Sequence, residues 1–429
     1  MSSTIKSNGQ VKEVFTRYQV FMIAILAILQ FTIILDFMVL SPLGVMLMPM
    51  LHITAAQFSH VVSAYAFSAG ISGVLAAGFA DKFDRKKLLL FFYFGFIGGT
   101  ICCGLATNYH LLLAARIVTG IFGGVISSVS FAIIADLFKM ETRGRVMGFV
   151  QMAFAASQVL GLPIGLILAN HFDWHAPFWL IAGFGIALGV AIVMYMKPIT
   201  EHLKIKSDRN PFQHLKKTIS NSPYISAFLA TSLLATGGYM LMPFGSNFAI
   251  YNLGMTNDQL PWLYGITGVF TIIFGPLVGS LSDKIGKYKM FLIGTIISLS
   301  MCLFYTNLGF TAFPLIIMIN VILFIGISSR MISASALMTA VPEQQDRGAF
   351  MSINSSIQQI SGGVASFVAG MIVYQQPSGH MDHYPVLGYV VAGSMIGAAI
   401  LMFAVNKYVN EKKAKASAMQ STAPLAQRV

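Results

Sequence analysis

Residues 77–87 read AGFADKFDRKK, and residues 279–289 read GSLSDKIGKYK. Each stretch follows a long apolar run and contains an aspartate followed by a lysine, with further basic residues next. A second pair of stretches is spaced in nearly the same way, with TRGRVMG at 142–148 and DRGAFMS at 346–352. The repeat indicates that the chain consists of two related halves.

The composition excludes a water-soluble protein. The 429 residues are 56 % hydrophobic and only 10 % charged, whereas a soluble domain carries about 25 % charged residues. Apolar runs of about 20 residues, long enough to cross ~30 Å of hydrocarbon as helices, recur along the chain. The runs are too long for barrel strands and lack their alternation. We therefore predict an all-α membrane protein with twelve transmembrane helices in two pseudo-symmetric six-helix bundles.

A polar stretch in the middle of the chain separates the two predicted bundles. The predicted spans cover residues 18–48, 58–79, 88–107, 111–134, 146–169, 177–196, 224–250, 260–281, 289–307, 313–340, 349–374 and 385–406. The predicted domains are a cytoplasmic N-terminal tail (1–17), a first six-helix bundle (18–196), a cytoplasmic linker (197–223), a second six-helix bundle (224–406) and a cytoplasmic C-terminal tail (407–429).

The linker contains one candidate helix. Asn210 followed by Pro211 is a favourable helix start, and Phe212, Leu215 and Ile219 share one face. Two interpretations remain open, a short helix on the membrane surface and a disordered linker.

The positive charge of the chain is explained by topology. The net charge is +12, and all of the 27 Lys and Arg except Arg116 and Arg330 fall in the tails or in loops that alternate spans place on one side. Loops on the other side contain no Lys or Arg. The positive-inside rule then places both termini in the cytoplasm and requires an even number of spans. The charge gives no reason to expect a nucleic-acid partner.

Features of an enzyme or a cofactor protein are missing from the sequence. It has no GxxxxGK[ST] nucleotide-binding loop and no Cys/His cluster of the kind that holds a metal. Cys102, Cys103 and Cys302 lie inside predicted spans, where cysteine is a small apolar filler. We predict no cofactor, no metal site and no enzymatic activity. The first apolar run is too long for a signal-peptide core and is expected to remain as the first helix.

Several motifs resemble those of the major facilitator superfamily over almost the whole chain. GSLSDKIGK, from Gly279 to Lys287, is similar to the family's signature loop, whereas the first-half copy has Ala77 and Asp84 in place of two glycines. LDFMVLSPLG (35–44) resembles the first-helix motif of the drug/proton antiporter branch, and RIVTGIFGG, which begins at Arg116, resembles the fourth-helix motif that is often linked to proton transfer. The helix-five motif of that branch is only partly present, at Gly161, Pro163 and Gly165.

The resemblance implies a role for the charged residues of the repeated loops. They would form a latch at the cytoplasmic side that stabilises the outward-facing state. The candidate latch residues are Asp81, Arg85 and Lys86 in the first half, with Asp283 and Lys287 in the second. Ordinary solvated charge is the alternative interpretation.

Three charged residues lie well within predicted spans: Asp36, Arg116 and Arg330. The resemblance implies that helices one, four and ten, which carry them, line a central cavity. Asp36 lies ~27 Å along helix one from the cytoplasm, and Arg116 lies about two turns below the outer surface, so we expect the two to meet. Since a carboxyl group's proton affinity depends on a neighbouring arginine, Asp36 could couple protons to transport as the halves rock. A permanent salt bridge between the two helices is the alternative.

Arg330 has no remaining acidic partner inside the membrane. It could bind an anionic or carbonyl-bearing substrate, or it could bond helix carbonyls or reach a cytoplasmic carboxylate. Further candidates for substrate binding are Tyr65, Tyr239, Asn247, Asn320 and Gln358, with Asn354 and Gln359 as additional amides. The amides could equally bridge helices.

The sequence therefore predicts a secondary active transporter that works by alternating access and exports small amphipathic compounds in exchange for protons. A proton-coupled symporter or facilitator for an organic anion or other metabolite is the alternative within transport, and a non-transporting receptor or scaffold is the alternative outside it. The expected partners are a small-molecule substrate, protons and the lipid bilayer. The expected state is a monomer in the bacterial inner (plasma) membrane.

Overall fold

The computed structural model describes residues 5–7, 10–12, 15–77, 79–204, 218–343 and 346–422. The first half contains α1 (Arg17–Met50), α2 (Ala55–Ala77), α3 (Arg85–Gly104), α4 (Tyr109–Leu137), α5 (Met140–Ala156), α6 (Leu162–His171) and α7 (Ala176–Tyr195). The second half contains α8 (Ser222–Leu241), α9 (Gly245–Tyr251), α10 (Leu260–Ile285), α11 (Lys287–Thr306), α12 (Phe313–Ala340), α13 (Arg347–Ile372) and α14 (Tyr384–Thr422).

Short elements join these helices. Two antiparallel strand pairs occur, β1 (Ile5–Ser7) with β2 (Gln10–Lys12) and β3 (Tyr374–Gln375) with β4 (Met381–Asp382). Single 3-10 turns lie at Ala80–Lys82, Glu201–Lys204, Met242–Phe244 and Asn257–Gln259, and a π-helical turn lies at Ser157–Gly161. The linker helix predicted from Phe212, Leu215 and Ile219 falls mainly on residues 205–217, outside the described part of the chain.

The helices account for the predicted spans. The π turn joins α5 and α6 into one crossing, and the turn at Met242–Phe244 joins α8 and α9 into another. Eleven segments of the described residues are long and apolar enough to cross a membrane. The remaining predicted span is α13, which has 26 residues but carries many Ser, Asn and Gln side chains. The twelve-helix, two-bundle architecture predicted from the sequence is confirmed.

The direction of the chain distinguishes two ends of the molecule. At one end α2 leads into α3, α4 into α5, α10 into α11 and α12 into α13. The loops rich in Lys and Arg lie there, and we name it the basic end. The other interhelical connections of the two bundles, including the β3–β4 hairpin, lie at the opposite end.

The two halves share an apolar core at the opposite end. Val39 and Phe58 of the first half are buried in the same cluster as Phe244 and Phe248 of the second, and the rings of Phe58 and Phe244 lie 6.3 Å apart. Toward the basic end each half has its own core, because one buried cluster draws only on the first half and another only on the second. Apolar burial therefore joins the halves mainly at one end.

The fifth crossing (α5, the π turn and α6) and the eighth crossing (α10) also move apart toward the basic end. A Cβ added at Gly268 of α10 would lie 2.6 Å from Val159 of the π turn, and one added at Gly265 would lie 3.5 Å from Pro163. Nearer the basic end of α10, a Cβ at Gly275 or Gly279 would meet no atom within 4 Å. The two helices thus pack closely at the opposite end and separate toward the basic end.

In contrast, α2 and α13 stay together over a greater length. Gly370 of α13 packs on Ala56 and Ser59 near the opposite end, and Gly73 of α2 reaches Ser356 much nearer the basic end. The gap between the halves therefore opens between the fifth and eighth crossings more than along this pair.

Close packing of α3 on α4 gives the first testable prediction. A Cβ at Gly99 would lie 2.8 Å from the backbone nitrogen of Thr119, whereas one at the neighbouring Gly98 would meet no atom within 4 Å. We expect Gly99→Ala to lower the stability by about 1–3 kcal/mol through overpacking. Gly98→Ala is the matched control, and its effect should stay within about 1 kcal/mol because it changes only helix propensity.

The measurement is the Tm of the purified full-length variants in detergent. Equal Tm values for the two variants would show that α3 and α4 do not pack through Gly99.

Candidate functional site

An ion pair lies buried inside the first half. Arg116 Nη1 of α4 donates to Asp36 Oδ2 of α1 at 2.7 Å, and the side chains of both residues are 0 % exposed. The same nitrogen lies 3.4 Å from the backbone oxygen of Asp36. The two charges therefore compensate each other at the place where α1 and α4 meet, as expected from their positions in the sequence.

Neighbouring side chains complete the surroundings of the pair. Thr100 Oγ1 of α3 lies 3.2 Å from Asp36 Oδ1 and can donate either to it or to the Phe96 oxygen at 3.1 Å. The Arg116 guanidinium lies over the Tyr65 ring, 4.5 Å from its centroid, which is a cation–π distance. Sequence reasoning missed Thr100, although it and Tyr93 are the hydroxyl-bearing side chains of α3.

The guanidinium of Arg116 is only partly used. It offers five N–H donors, and within the described part of the chain its Nε and Nη2 have no hydrogen-bond partner. The Cys103 thiol lies beside it. The pair is thus electrically balanced but short of hydrogen bonds, so a rearrangement or an incoming oxygen atom would find free donors there.

An aromatic stack connects this pair to the second half. The Phe37 ring lies 5.3 Å from that of Tyr65 and 5.4 Å from that of Tyr239, on α8. Tyr239 in turn donates its hydroxyl to Gln359 Oε1 of α13 at 2.7 Å. Tyr65 and Tyr239, two of the predicted binding residues, are therefore joined through Phe37, which sequence reasoning missed because one Phe among 34 carries no distinguishing signal.

The predicted amides lie at separate places. Asn247 of α9 is completely buried, faces Gly44 of α1, and neither polar atom of its side chain has a hydrogen-bond partner in the described residues. Asn320 of α12 lies beside the Tyr305 hydroxyl of α11. The amide that contacts Tyr239 is Gln359 rather than its neighbour Gln358.

Arg330 is buried in the second half, away from the Asp36 pair. It is 4 % exposed, and its Cζ lies 5.6 Å from the centroid of the Phe291 ring. Its Nε and Nη2 have no partner among the described residues. Neither a bond to helix carbonyls nor a pair with a carboxylate is found for it there.

The predicted latch residues contact groups of their own half. Arg85 Nε lies 3.0 Å from Asp136 Oδ2 at the end of α4, a partner that sequence reasoning missed. Lys86 Nζ donates to the oxygens of Val193 and Met196, at 2.9 and 2.6 Å, and so caps the last turn of α7.

In the second half, Lys287 pairs with Asp283 one turn away. The side chain of Asp81 lies outside the described residues. A latch that joins the two halves through these residues therefore stays a prediction. It would form in a conformation in which the halves meet at the basic end.

The helix-five motif lies between α1 and the second half. Ser157 Oγ, in the π turn, lies 3.1 Å from the Phe31 oxygen, and Gly161 faces Leu35, the residue before Asp36. Pro163 faces α10, and Gly165 faces Val39 of α1. The irregular turn thus packs against the helix that carries the buried acid.

Two six-helix bundles with charged and polar groups buried at and near their interface define a multi-pass membrane transporter. The sequence profile of the Major Facilitator Superfamily matches residues 26–245 and again residues 227–428. The chain belongs to this family.

Known relatives and structures agree with that assignment. The chain is 26 % identical over 398 residues to the uncharacterized MFS-type transporter YceJ of Bacillus subtilis (strain 168), which covers 92 % of this chain and 96 % of that protein. It is 32 % identical over 152 residues to multidrug resistance protein 3 of the same organism, covering 35 % of this chain and 30 % of that protein.

Among solved structures, the fold is similar to that of a bacterial homolog of the human lysosomal transporter Spinster in an inward-facing, unoccupied conformation. The TM-score is 0.69 at 15 % identity, and the match covers 92 % of this chain and 97 % of that chain. At this identity the likeness shows the fold alone.

The ion pair generates the second prediction, a double-mutant cycle. Arg116→Gln should destabilise the protein by about 3–5 kcal/mol because it leaves a buried carboxylate without its partner. Asp36→Asn should also destabilise it, by stranding the guanidinium. The double variant should recover about 1–3 kcal/mol relative to the sum of the two single changes.

The measurement is again thermal unfolding of the full-length protein in detergent. Strict additivity of the two changes would mean that the charges do not interact in solution.

Proposed function

We propose that this transporter exports small amphipathic compounds in exchange for protons, with Asp36 as the proton-carrying group. The observation that carries the proposal is the Asp36–Arg116 pair, fully buried and joined through the adjacent Phe37 to the second half. The names of some relatives refer to drug resistance or efflux: multidrug resistance proteins 2 and 3 of Bacillus subtilis (strain 168) and a probable sugar efflux transporter of Helicobacter pylori (strain G27).

The coupling follows from the cost of a lone buried charge. While Arg116 is in contact, its positive charge and hydrogen bond favour the carboxylate form of Asp36. If rocking of the halves pulls α1 away from α4, an unpaired carboxylate in a dry pocket costs several kcal/mol unless it takes up a proton. Proton uptake and release would thus follow the conformational change. A permanent salt bridge would instead keep α1 and α4 together in every state.

The contacts of α1 support such a motion. The Ser41 hydroxyl bonds the Met242 oxygen at the break between α8 and α9, and Phe37 lies between tyrosines of the two halves. A change in the angle between the halves therefore acts directly on the turn of α1 that carries Asp36. The aromatic stack also offers an apolar wall for a small amphipathic substrate, with Asn247, Asn320 and Gln358 as further polar candidates.

We also propose that the basic end faces the cytoplasm, in accord with the positive-inside rule. Both termini would then be cytoplasmic, and the chain would act as a monomer in the plasma membrane. In this orientation the structure is inward-facing, because the buried core that the described residues of both halves share lies at the opposite, external end. The latch formed by Asp81, Arg85, Lys86, Asp283 and Lys287 would close when the basic end closes.

A second candidate function is symport or facilitated transport of an organic anion. The observation in its favour is the buried Arg330, for which the described residues provide no acidic partner. The direction of proton movement separates the two functions, since an antiporter moves protons against the substrate and a symporter moves them with it.

Proteoliposomes test the coupling. With the full-length protein and an outward substrate gradient from a panel of neutral, anionic and cationic amphipathic dyes, wild type should move protons into the vesicles as dye leaves. Asp36→Asn should lose this proton movement, because an amide cannot bind and release the proton. The matched control is Asp258→Asn, an exposed carboxylate at the opposite end, which should behave as wild type. Unchanged proton flux in Asp36→Asn would assign the pair a purely structural role.

The aromatic stack gives a separate prediction. Phe37→Ala should raise the KM for a transported dye by about tenfold, equivalent to ~1.4 kcal/mol of binding, because it removes the middle ring of the wall. Phe172→Ala, a ring that is 77 % exposed at the opposite end, is the control. If both variants keep the wild-type KM, the stack holds the halves together and does not bind substrate.

A further inference from the structure

Arg330 of α12 has unused hydrogen-bond donors. The hydroxyl of Ser333 lies one turn further along the same face of the helix. Arg330 and Ser333 are three positions apart in the sequence, so their side chains project from the same side of the helix. Arg330 is 4 % exposed and Ser333 is 0 % exposed. Arg330 Nε, Arg330 Nη2 and Ser333 Oγ are all buried and have no hydrogen-bond partner in the described part of the chain.

The charge of this group is also uncompensated. Four charged side chains are buried among the described residues: Asp36, Arg85, Arg116 and Arg330. Asp36 pairs with Arg116, and Arg85 pairs with Asp136. Arg330 makes no ion pair among the described residues, and its one aromatic contact is the Phe291 ring. A buried charge without an opposite charge is costly, so an anion that enters would be strongly favoured.

Arg330 and Ser333 lie in the part of α12 that is nearer the basic end. Arg330 lies ten residues before the end of α12 at Ala340, which corresponds to about 15 Å along the helix. The halves are separate toward this end, where each has its own core.

We propose that Arg330 and Ser333, beside the face of Phe291, form a subsite for the carboxylate of the transported compound. A guanidinium presents parallel N–H groups that match the two oxygens of a carboxylate, and the serine hydroxyl supplies one further donor. The ring of Phe291 offers an apolar contact next to them. The substrate class is thus an amphipathic carboxylic acid in its ionised form. This assignment rests on the transport function proposed above and specifies its substrate.

The subsite is distinct from the Asp36–Arg116 pair. That pair is neutral overall and already contains a carboxylate, which would repel a second one. Ionised benzoate should therefore prefer Arg330, whereas a protonated amine would gain nothing from either place. The two sites can be tested separately because they lie in different halves.

Binding of three isosteric probes tests the proposal: benzoate, benzamide and benzylammonium. The full-length protein in detergent is titrated with each at neutral pH, and the Kd is obtained from the shift of the Tm and from calorimetry. Wild type should bind benzoate at least about tenfold more tightly than benzamide and should bind benzylammonium most weakly. Arg330→Gln should remove the difference between benzoate and benzamide, whereas Arg330→Lys should keep part of it.

Arg17→Gln is the matched control, because it removes an exposed arginine at the start of α1 that belongs to neither site, and it should leave the preference for benzoate intact. The measurement needs no proton gradient, so loss of proton coupling in vesicles and loss of anion binding are separate results. Equal affinities of wild type for benzoate and benzamide would overturn the subsite, and so would a preference that survives Arg330→Gln. If Arg330→Gln does not fold, Ser333→Ala and the wild-type series decide the question. Ser333→Ala should weaken the binding of benzoate and leave the binding of benzamide unchanged. An unchanged benzoate affinity would count against the subsite.

Discussion

The structure depends on one ion pair enclosed on all sides by protein. Asp36 and Arg116 come from different helices, and neither can turn toward lipid without carrying a charge into hydrocarbon. The pair therefore determines how α1 and α4 are rotated and how far they are shifted along each other. Tyr65 adds α2 through the face of its ring, and Thr100 adds α3 through its hydroxyl. Four helices of the first half are thus positioned around one pair of charges.

The residue next to the acid extends this constraint to the second half. Phe37 follows Asp36 directly, so the rotation that buries the carboxylate also places the ring between Tyr65 and Tyr239. The hydrophobic effect does not favour one rotation over another within lipid, because lipid tails are as apolar as the side chains. The buried charge supplies the missing preference. A shared core then joins the halves at the opposite end, while basic side chains such as Lys86 cap helices of their own half at the other.

The same physics explains which features of the fold and of the candidate site could be predicted from the sequence. Spans and halves could be predicted because long apolar runs and a repeated charged loop are properties of whole segments. The meeting of Asp36 and Arg116 could be predicted because charges inside spans are few and helix length gives their depth. The rotation of each helix could not, because in lipid the outer face is as apolar as the inner one. Cys102 is exposed and its neighbour Cys103 is buried, and no pattern in the sequence separates them.

Features that depend on contact between distant segments of the chain could not be predicted from the sequence either. The π turn at Ser157–Gly161 packs between α1 and α10, and its contact with α1 joins Ser157 to Phe31, 126 residues earlier in the chain. The choice of Gln359 over Gln358 as the partner of Tyr239 depends on the rotation of α13 against α8.

The two halves also differ in how their charges are balanced, and this difference limits the mechanism. The first half encloses a neutral pair, whereas the second encloses Arg330, for which the described residues provide no acidic partner. If the proton binds in the first half and an anionic substrate binds in the second, the two do not compete for one side chain. Their exchange must then be coupled through movement of the halves, since a ligand shifts a conformational equilibrium only by its differential affinity for the two states. The contacts able to transmit that movement beside the acid are those of Phe37 with Tyr239 and of Tyr239 with Gln359, which join the helix of the proton site to two helices of the other half.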